Sequence, residues 1–449
     1  MKKLTGFVSE HLADDVTRLI LDKAKWPDID MDLAVSCIES RRKLKGKVQE
    51  WYENPDLYFP AKLSAEQCSS SATALYKAAL AERIALSGGC MAGNWKIADL
   101  TGGLGVDSWF FSKRAAAVLY NEMQTPLCDA AEHNFKVLGA SDISISNHAV
   151  SKDGSDGFEL SPSALLSDFR PDIVYMDPAR RGEGGRKVFL IEECTPDVLT
   201  LKDEIFSLSR NILIKLSPMA DISMVCSRLG CRCREVHVVA AGGECKELLI
   251  WLDREWEDQE YEVIAAEIHG DGSVSEFRFT PSQEKASIVH IAMPVGQWLP
   301  PAPSQQAGPL PLPVGGKMPV PAICPTGIYL FEPGKALMKA GAFNTISDRF
   351  NLMKLGVSTH YYMTDDLQKA EQLKQFGKVF RIMSIQSLDK RSIKGAGQMW
   401  PKAEVTARNI PMDTDTLRKK LGVTSGDDAH IFGLKSDKSG NLLIVCQRI

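Results

Sequence analysis

The sequence has no long uninterrupted hydrophobic run. Its first residues, MKKLTGFVSEHLADDV, contain acids where a secretory signal would need an apolar segment. No later stretch is both long enough and apolar enough to cross a bilayer. These absences argue against a secreted or membrane-spanning protein, so we expect a cytoplasmic one.

Cysteine pairs of the kind that bind zinc are also lacking. The chain has 11 cysteines, but the tightest group, Cys226, Cys231 and Cys233, contains no C-x-x-C pair. Disulfides are not expected either, because the cysteines are scattered and no secretory signal precedes them. We therefore predict free thiols and no metal site.

Neither sign of charge dominates the whole chain. A formal net charge of −4 over 449 residues, with 44% hydrophobic and 24% charged residues, is ordinary for a globular protein of two or three domains. The charge is unevenly distributed, however, since residues 376–449 contain 13 Lys and Arg against 7 Asp and Glu, and the other 375 residues carry −10. This asymmetry predicts a polyanion-binding module at the C-terminal end.

A glycine-rich turn follows an apolar run in KIADLTGGLGVDSWFFS, Lys96–Ser112. The pattern predicts a strand, a tight loop and a helix N-terminus, where an open α/β sheet binds a nucleotide-like ligand. Gly103 and Gly105 would let the backbone approach that ligand closely. Ser108 stands where the dinucleotide fingerprint needs its third small residue, which disfavours NAD.

Further polar residues surround this loop in the sequence. Glu122 ends the next predicted strand, about twenty residues after the loop, where a carboxylate can accept both hydroxyls of a ribose; a surface glutamate is the alternative. Upstream, Ser64 followed by Gln67 resembles a capping box and predicts a helix start. Gln67, Ser69 and Lys77 are candidate ligand contacts there, and ordinary helix capping explains them about as well.

A second acidic motif lies in DIVYMDPARR, residues 172–181. It predicts an apolar strand that ends in Asp177-Pro178 at the carboxyl edge of the sheet. The glycine-rich loop that follows carries four positive charges, which suit a polyanionic substrate, although a solvated loop explains the same residues. These basic residues are Arg180, Arg181, Arg186 and Lys187.

The order of the predicted elements indicates the fold class. Residues 1–90 are predicted helical, and short apolar runs alternate with helical stretches from Ile97 to Asp253, which favours a mainly parallel sheet. Two apolar runs around Ala-Gly-Gly-Glu-Cys predict a hairpin after the fifth strand. Nine prolines between Pro300 and Pro325 predict a linker or an extended wrapping loop.

The glycine loop resembles the D-x-G-x-G-x-G motif of class I S-adenosylmethionine (SAM) methyltransferases, with Thr101 in place of the first glycine. The resemblance implies SAM as cofactor and an acid or amide beside its adenine, for which Asp153 and Asn147 are candidates. The cofactor-binding residues that we assign on this basis, besides Gln67, Ser69 and Lys77, are Asp99, Thr101, Gly103, Gly105, Asp107, Glu122 and Asp153.

Asp177-Pro178-Ala179-Arg180 resembles the (D/N/S)-P-P-(Y/F/W/R) motif of methyltransferases that act on nucleic-acid bases. In that motif the acid and nearby carbonyls orient an amino group towards the methyl donor. Ala179 and Arg180 depart from the pattern and argue against N6-adenine specificity. Methylation of uracil C5 needs a cysteine nucleophile after the fifth strand, and NILIKLSPMADI has none, which favours a nitrogen acceptor.

Nearly the whole chain resembles a bacterial family of SAM-dependent methyltransferases, most specifically in EQCSSSATALYK, DLTGGLGVD, DPARR, GGECKELL and VTARN. The implied fold is α/β: a Rossmann-like class I methyltransferase sheet with a helical N-terminal region and C-terminal ferredoxin-like and THUMP-like α+β domains. The expected domains are residues 1–90, 91–256, 257–375 (the ferredoxin-like insert with its proline-rich linker) and 376–449. THUMP domains are associated with RNA modification, so the resemblance implies structured RNA as substrate.

The resulting hypothesis is an enzyme that transfers a methyl group from SAM to a base nitrogen of structured RNA, either tRNA or rRNA. Asp177, Pro178 and Arg180 would be its catalytic residues, and the basic tail would hold the RNA. Two alternatives stay open: a degenerate methyltransferase that serves as an RNA-binding scaffold, and a small-molecule or protein methyltransferase. In the tail, the assigned RNA contacts are Lys390, Arg391, Lys394 and Arg408.

Overall fold

The computed structural model describes residues 2–154, 158–180, 190–258, 260–292 and 327–449. The chain divides into two compact units, residues 1–264 with 268–274, and residues 265–267 with 275–449. Most of the loop that carries Arg181, Arg186 and Lys187 and the proline-rich segment from Pro300 lie outside the described residues. Within the described ranges, no helix is both long and apolar enough to traverse a membrane, and every cysteine is a free thiol.

The first unit begins with helices, as predicted. Aspartate and serine side chains cap three of them: Asp15 accepts from the Thr17 N–H, Asp30 from the Leu33 N–H, and Ser70 from the Thr73 N–H. The helices are α1 (Lys2–Glu10), α2 (Val16–Leu21), α3 (Met31–Leu44), α4 (Gln49–Glu53), α5 (Lys62–Gln67) and α6 (Ser71–Ser87).

The helix predicted to start at Ser64 is two helices in the structure. Ser64 lies inside α5, whose N-cap is Ala61, and Gln67 is the last residue of that helix. The actual cap of the long helix α6 is Ser70, three residues further on. The capping-box prediction was wrong because EQCSSS offers several capping residues and the sequence pattern cannot choose among them.

In the basic run RRKLKGK at residues 41–47, two side chains that are not exposed donate to backbone carbonyls, while Arg42, Lys43 and Lys45 are exposed. Arg41 is buried and donates to the carbonyls of Asn54 and Leu57 at 2.7 and 2.6 Å. Lys47 donates to the carbonyls of Ala65 and Glu66 at 3.2 and 2.6 Å. These two side chains therefore tie together the short helices and the segment between them.

Seven strands of the first unit belong to one nine-stranded sheet, in the order β3-β2-β1-β6-β9-β11-β10. The first five of these pair in parallel, and β11 is antiparallel to both β9 and β10. This arrangement confirms the predicted parallel sheet with a closing hairpin. The strands are β1 (Lys96–Asp99), β2 (Ala117–Asn121), β3 (Ile143–Ser146), β6 (Ile173–Met176), β9 (Asn211–Leu216), β10 (Cys233–Ala241) and β11 (Glu244–Asp253).

Helices and short strands join these seven strands. The fully buried Trp95, Tyr175 and Trp251 belong to the core of this unit. The connecting elements are α7 (Val106–Ser112), α8 (Thr125–Val137), β4 (Ala149–Val150), β5 (Glu159–Leu160), α9 (Pro162–Leu166), β7 (Ala179–Arg180), β8 (Cys194–Thr195), α10 (Val198–Leu208) and α11 (Ile222–Leu229). The division between the two units runs through β12 (Glu262–Ile268) and beside β13 (Val274–Phe279).

The second unit contains an eight-stranded sheet in the order β14-β16-β17-β15-β18-β21-β20-β19. Buried apolar residues such as Phe380, Phe432 and Ile444 form one core cluster, and Ile393, Leu417 and others form a second. The elements are α12 (Pro281–Ala286), β14 (His290–Ile291), β15 (Tyr329–Pro333), α13 (Lys335–Ala340), α14 (Thr345–Arg349), β16 (Met353–Lys354), β17 (Tyr362–Thr364), α15 (Leu367–Leu373), β18 (Gly377–Ser387), α16 (Lys390–Met399), β19 (Lys402–Arg408), α17 (Thr414–Leu421), β20 (Thr424–Ser436) and β21 (Gly440–Arg448).

Helix α16 was not predicted as a helix, because its sequence KRSIKGAGQM contains two glycines that lower helix propensity. Asp389 caps it by accepting from the N–H groups of Arg391 and Ser392. Gly397 has a packing role, since a Cβ there would lie 1.7 Å from the carbonyl oxygen of Leu421 at the end of α17. Close packing of the two helices thus outweighs the low propensity of glycine.

Candidate functional site

A glycine loop joins β1 to α7 at the carboxyl edge of the first sheet. Gly103 and Gly105 have φ angles of +54° and +88°, in the left-handed region that favours glycine. Gly102 is restricted by space instead, because a Cβ there would lie 2.1 Å from Cε2 of Tyr120. The Tyr120 hydroxyl also donates to the Gly103 carbonyl at 2.6 Å. The path of the loop is therefore set by its glycines and by Tyr120.

Asp99 ends β1 and is almost fully buried beneath the loop. One carboxylate oxygen accepts from the Thr101 N–H at 3.0 Å, and the other accepts from the Ser108 hydroxyl at 2.6 Å. Burial raises the pKa of Asp99 to about 7, although both hydrogen bonds oppose the rise. Asp99 thus fixes the loop to the first turn of α7.

Glu122 follows β2 and contacts the same loop. Its Oε2 accepts from the Gly103 N–H at 2.9 Å, and its Oε1 accepts from the Gln124 N–H at 2.9 Å. Each carboxylate oxygen has a further lone pair. Glu122 can therefore hold the loop and still accept hydrogen bonds from a ligand.

A cavity of about 570 Å³ is bounded by the loop and by residues from several other elements of the first unit. This volume lies in the range of small-molecule sites. Nine residues predicted for the site line the cavity together: Gln67, Ser69, Asp99, Thr101, Gly103, Asp107, Glu122, Asp153 and Asp177. The structure therefore brings together residues that are more than one hundred positions apart in the chain.

Three other predicted site residues are not among the described residues that line the cavity. Lys77 is completely buried, and its Nζ lies 2.7 and 2.8 Å from the two carboxylate oxygens of Glu247. Gly105 packs against α8, since a Cβ there would lie 2.7 Å from the ring of Phe135. Pro178 is buried. The position of Lys77 fits an internal ion pair better than a ligand contact.

Asp107 connects the helical N-terminal region to the sheet at the cavity wall. Its Oδ2 accepts from the Ser69 hydroxyl at 2.9 Å and from the Tyr175 hydroxyl at 2.8 Å. Its Oδ1 lies 3.4 Å from Lys77 Nζ. Ser69 is therefore held in the wall by Asp107 rather than by helix capping.

Asp177 lies directly after β6, on the same edge of the sheet as the loop. Its N–H donates to Oγ1 of Thr101 at 2.6 Å. Its carboxylate forms an ion pair with Lys215 of β9. The Asp177 side chain remains 38% exposed, so it can meet a molecule in the cavity.

Asp153 and Asn147 are the two residues considered for adenine recognition. Asp153 lines the cavity. The Asn147 amide instead donates to the Glu122 carbonyl at 2.7 Å and accepts from the Thr125 hydroxyl at 2.8 Å. Of the two candidates, only Asp153 is therefore placed for contact with a ligand.

The basic residues assigned to RNA contact in the tail lie in the second unit. Lys390, Arg391 and Lys394 are exposed on α16. Arg408 is half-buried, with its guanidinium carbon 5.4 Å from the centre of the Tyr361 ring. The other assigned basic residues, Arg181, Arg186 and Lys187, and the side chain of Arg180 lie outside the part of the chain that the structure describes.

Sequence reasoning missed Lys215 and Tyr175. A signal for Lys215 was present, because it is the one charged residue in the apolar strand NILIKL and lysine is rarely buried without a partner. Tyr175 gave no signal, since a tyrosine in a buried strand is most simply a core residue. Their partners lie in other elements, Asp177 directly after β6 for Lys215 and Asp107 in α7 for Tyr175, and spacing along the chain does not reveal such contacts.

Comparisons with known proteins agree with this architecture. Family models match a ferredoxin-like domain at residues 329–370 and a "THUMP domain-like" region at residues 377–448. A comparison with curated proteins gave no match. The crystal structure of a "putative methyltransferase" from Porphyromonas gingivalis W83 superposes with a TM-score of 0.77 at 26% identity, over 99% of this chain and 97% of that one.

Two smaller structures align with part of the chain. A "rRNA Methylase" from Streptococcus thermophilus has 10% identity and a TM-score of 0.27, over 39% of this chain and 94% of that one. A "putative methyltransferase" from Streptococcus mutans in complex with SAH has 10% identity and a TM-score of 0.26, over 39% of this chain and 96% of that one. Both TM-scores are low, so the structural comparison depends on the Porphyromonas protein. The chain shares the fold of that protein along its length and carries a ferredoxin-like domain and a THUMP-like domain in its C-terminal region.

Proposed function

We propose that this protein is a SAM-dependent methyltransferase that methylates a base nitrogen of structured RNA, either tRNA or rRNA. The observation that carries the proposal is a single cavity whose wall contains acidic residues both at the glycine loop and after β6. Asp99, Gly103 and Glu122 line the cavity at the glycine loop, where they would receive a nucleoside, and Asp177 lines the same cavity. Cofactor and acceptor would then meet at the carboxyl edge of the sheet, where open α/β sheets bind ligands.

The residues of the loop fit SAM. A Cβ at Gly103 would meet only the Thr101 carbonyl oxygen, at 3.8 Å, so the backbone is open to close approach. Glu122 has lone pairs left for two ribose hydroxyls after accepting from the Gly103 and Gln124 N–H groups. Asp153 would contact the adenine. We assign the methionine end to the wall that contains Gln67, Ser69 and Asp107.

When bound, SAM supplies a methyl group that is already activated on a positively charged sulfur. The protein then has to bring the nitrogen into line and exclude water. Asp177 can accept a hydrogen bond from that nitrogen, since its side chain is partly exposed in the cavity. Thr101 fixes the backbone of Asp177 by accepting the 2.6 Å hydrogen bond from the Asp177 N–H. This bond holds the glycine loop and Asp177 in a fixed relative position.

RNA as the substrate is supported by the second unit. The match of residues 377–448 to a THUMP-like model and the net charge of +6 on residues 376–449 both favour a polyanion. Exposed Lys390, Arg391 and Lys394 on α16 provide cations for phosphates. The Porphyromonas structure, described as a "putative methyltransferase", supports the reaction class. The Streptococcus thermophilus structure is described as an rRNA methylase, but its low TM-score adds no weight.

The proposal is tested by mass spectrometry of nucleosides from total RNA of strains with and without the gene. We expect one methylated nucleoside to disappear in the deletion strain, to return with the wild-type gene and to remain absent with Asp177→Ala. An unchanged nucleoside profile together with RNA binding would favour the scaffold alternative. An unchanged profile with SAM turnover on protein or small molecules would favour the other alternative.

A further inference from the structure

Lys215 is a charged residue in an otherwise apolar strand, and it contacts the carboxylate proposed to receive the acceptor nitrogen. We propose that Lys215 is a positioning residue, which holds the Asp177 carboxylate so that it can serve only as a hydrogen-bond acceptor towards the RNA base. This inference rests on the proposed function and adds a residue to which no role in the reaction has been assigned. It also restricts the class of nitrogen that can be methylated.

The register of the sheet places the two residues side by side. β6 and β9 are parallel, with Met176 opposite Ile214, so Asp177 and Lys215 are the next residues along the two strands. The ion pair joins Lys215 Nζ to Oδ2 of Asp177. A lysine at this position of β9 can therefore reach the end of β6 without any loop rearrangement.

Lys215 is surrounded by acidic groups. Burial alone would lower its pKa, but the attraction of Asp177, Glu247 and Asp107 outweighs burial and raises the pKa above its usual value. Glu247 is also paired with Lys77. Lys215 thus stays a cation at physiological pH, as its place among three carboxylates requires.

Other charged and polar groups also lie near this pair. Lys47 and Cys68 interact electrostatically with Lys215, and Asp99 and Tyr175 interact with Asp177. Of these, only Lys47 is a cation, and its Nζ is engaged with the carbonyls of Ala65 and Glu66. Among the described residues, Lys215 is therefore the cation that is ion-paired with Asp177.

Asp177 is held at two points. Thr101 accepts from its N–H at 2.6 Å, and Lys215 pairs with Oδ2 of its carboxylate. Lys215 is 13% exposed and is not among the described residues that line the cavity. It therefore acts on the reaction through Asp177, whose other carboxylate oxygen would accept from the ligand.

An ion-paired carboxylate has lone pairs but no hydrogen to donate. The nitrogen it receives must therefore carry a hydrogen, as exocyclic amino groups and lactam ring nitrogens do. When the methyl group moves from sulfur to this nitrogen, the nitrogen loses its hydrogen as a proton, which passes through Asp177 to solvent. The charge balances, because the sulfonium becomes a neutral thioether in the same step.

The test measures SAM binding and methyl transfer with the purified full-length protein. Isothermal titration calorimetry gives the SAM Kd, and transfer of a labelled methyl group to total RNA from the deletion strain gives kcat and KM. For Lys215→Met we expect kcat to fall by roughly 10- to 100-fold, the scale of a displaced catalytic group, with the SAM Kd within about twofold of wild type. Lys215→Arg keeps the charge and should recover part of the rate.

Two further variants separate positioning from general stability. Lys202→Met is the control. Lys202 lies in the same unit and donates to the Leu229 carbonyl at 3.1 Å, so we expect this variant to leave kcat unchanged. The fall in kcat caused by Asp177→Asn should be smaller in the Lys215→Met background than in wild type, since Lys215 acts through Asp177. If the Met variant fails to fold by circular dichroism, Lys215→Gln provides the same comparison with a neutral hydrogen-bond donor.

Several outcomes would overturn the role of Lys215 while leaving the proposed function intact. These are an unchanged kcat in folded Lys215→Met, losses that multiply independently in the double variant, or a SAM Kd that rises as much as kcat falls. A target nucleoside methylated on a nitrogen without hydrogen, such as guanine N7 or adenine N1, would also contradict it. Wild-type protein that transfers no methyl group to RNA would instead contradict the proposed function, and this inference with it.

Discussion

The carboxylate of Glu122 binds backbone N–H groups and also lines the cavity. Each oxygen accepts one backbone N–H, from Gly103 or Gln124, and keeps a lone pair. The same side chain therefore sets the shape of the loop and offers two acceptor positions to a ribose. This double use explains why a carboxylate is needed, since an amide has only one oxygen.

Replacing Glu122 tests that use. For Glu122→Gln we expect the SAM Kd to rise by roughly 10- to 100-fold, the equivalent of one hydrogen bond to a charged group. Isothermal titration calorimetry provides the measurement. Glu132→Gln is the matched control. Glu132 is exposed on α8, so we expect this variant to bind SAM with the affinity of wild type. Equal affinities for all three proteins would remove Glu122 from the cofactor site.

Asp99 makes stability depend on pH in an uncommon direction. Its pKa is about 7 in the folded protein because of burial, whereas an aspartate in an unfolded chain titrates near pH 4. Between these values the folded state binds more protons than the unfolded state, so this group favours folding at low pH. Its contribution falls as the pH rises from about 4 to about 7 and then stays constant.

The variant Asp99→Asn removes this dependence. Thermal unfolding is measured between pH 4 and pH 8. We expect the Tm of the variant to rise relative to the Tm of wild type as the pH increases from about 4 to about 7, and the difference to stay constant above that pH. The informative quantity is how the Tm difference between variant and wild type changes with pH, because the amide also loses a hydrogen bond at every pH. A constant difference in Tm across this pH range would show that Asp99 is charged throughout.

At the scale of elements, parallel pairing aligns the functional residues along one sheet edge. Asp99 is opposite Tyr175, and Met176 is opposite Ile214. The residues after these positions, Thr101, Asp177 and Lys215, therefore form a row. The glycine loop fits beside this row only because Gly102 has no side chain to meet Tyr120.

The variant Gly102→Ala tests the packing of the loop. The added Cβ would lie 2.1 Å from the Tyr120 ring, so we expect the free energy of unfolding to fall by about 1–3 kcal/mol or more, as in other overpacked cores. Urea denaturation measures the change. Gly6→Ala is the control, since nothing lies within 4 Å of its Cβ in α1, and it should be neutral or stabilise by up to ~1 kcal/mol. Equal effects would mean that the loop is loosely packed.

The sequence predicts the elements that have a strong local pattern. The glycine loop, the strand before Asp177 and the closing hairpin all follow from apolar periodicity and turn residues, and the fold class is confirmed. The break between α5 and α6 was missed, because Ser64 and Ser70 are equally good caps in isolation. Lys215 was missed as well, because its partner depends on which strands are neighbours, and spacing along one chain does not show that.

At the scale of the molecule, charge and chemistry are separated along the chain. The cavity and its acids belong to the first unit, while the excess of Lys and Arg belongs to residues 376–449 of the second. In our proposal the second unit supplies most of the affinity for RNA, and the first unit supplies the reaction. RNA affinity and SAM affinity should therefore respond to different substitutions.

Replacing Lys390, Arg391 and Lys394 together by alanine should weaken RNA binding without changing the SAM Kd. Three lost phosphate contacts should reduce the slope of log Kd against log salt concentration by roughly 2 to 3. Fluorescence anisotropy with labelled tRNA at several salt concentrations measures this slope. Alanine at the exposed Lys2, Lys3 and Lys23 of the first unit removes the same charge and should leave the slope unchanged. Equal changes in both variants would indicate non-specific attraction.

Methylation of an RNA base nitrogen is tested most directly by measuring methyl transfer with the purified protein. Full-length wild type and Asp177→Ala are incubated with SAM labelled on the methyl group and total RNA from a strain that lacks the gene, and the RNA is then digested to nucleosides. With wild type we expect label in one nucleoside, on a base nitrogen, and with Asp177→Ala at least 100-fold less, on the scale of a lost proton-accepting group. Wild-type protein that binds SAM but leaves the RNA unlabelled would contradict this expectation.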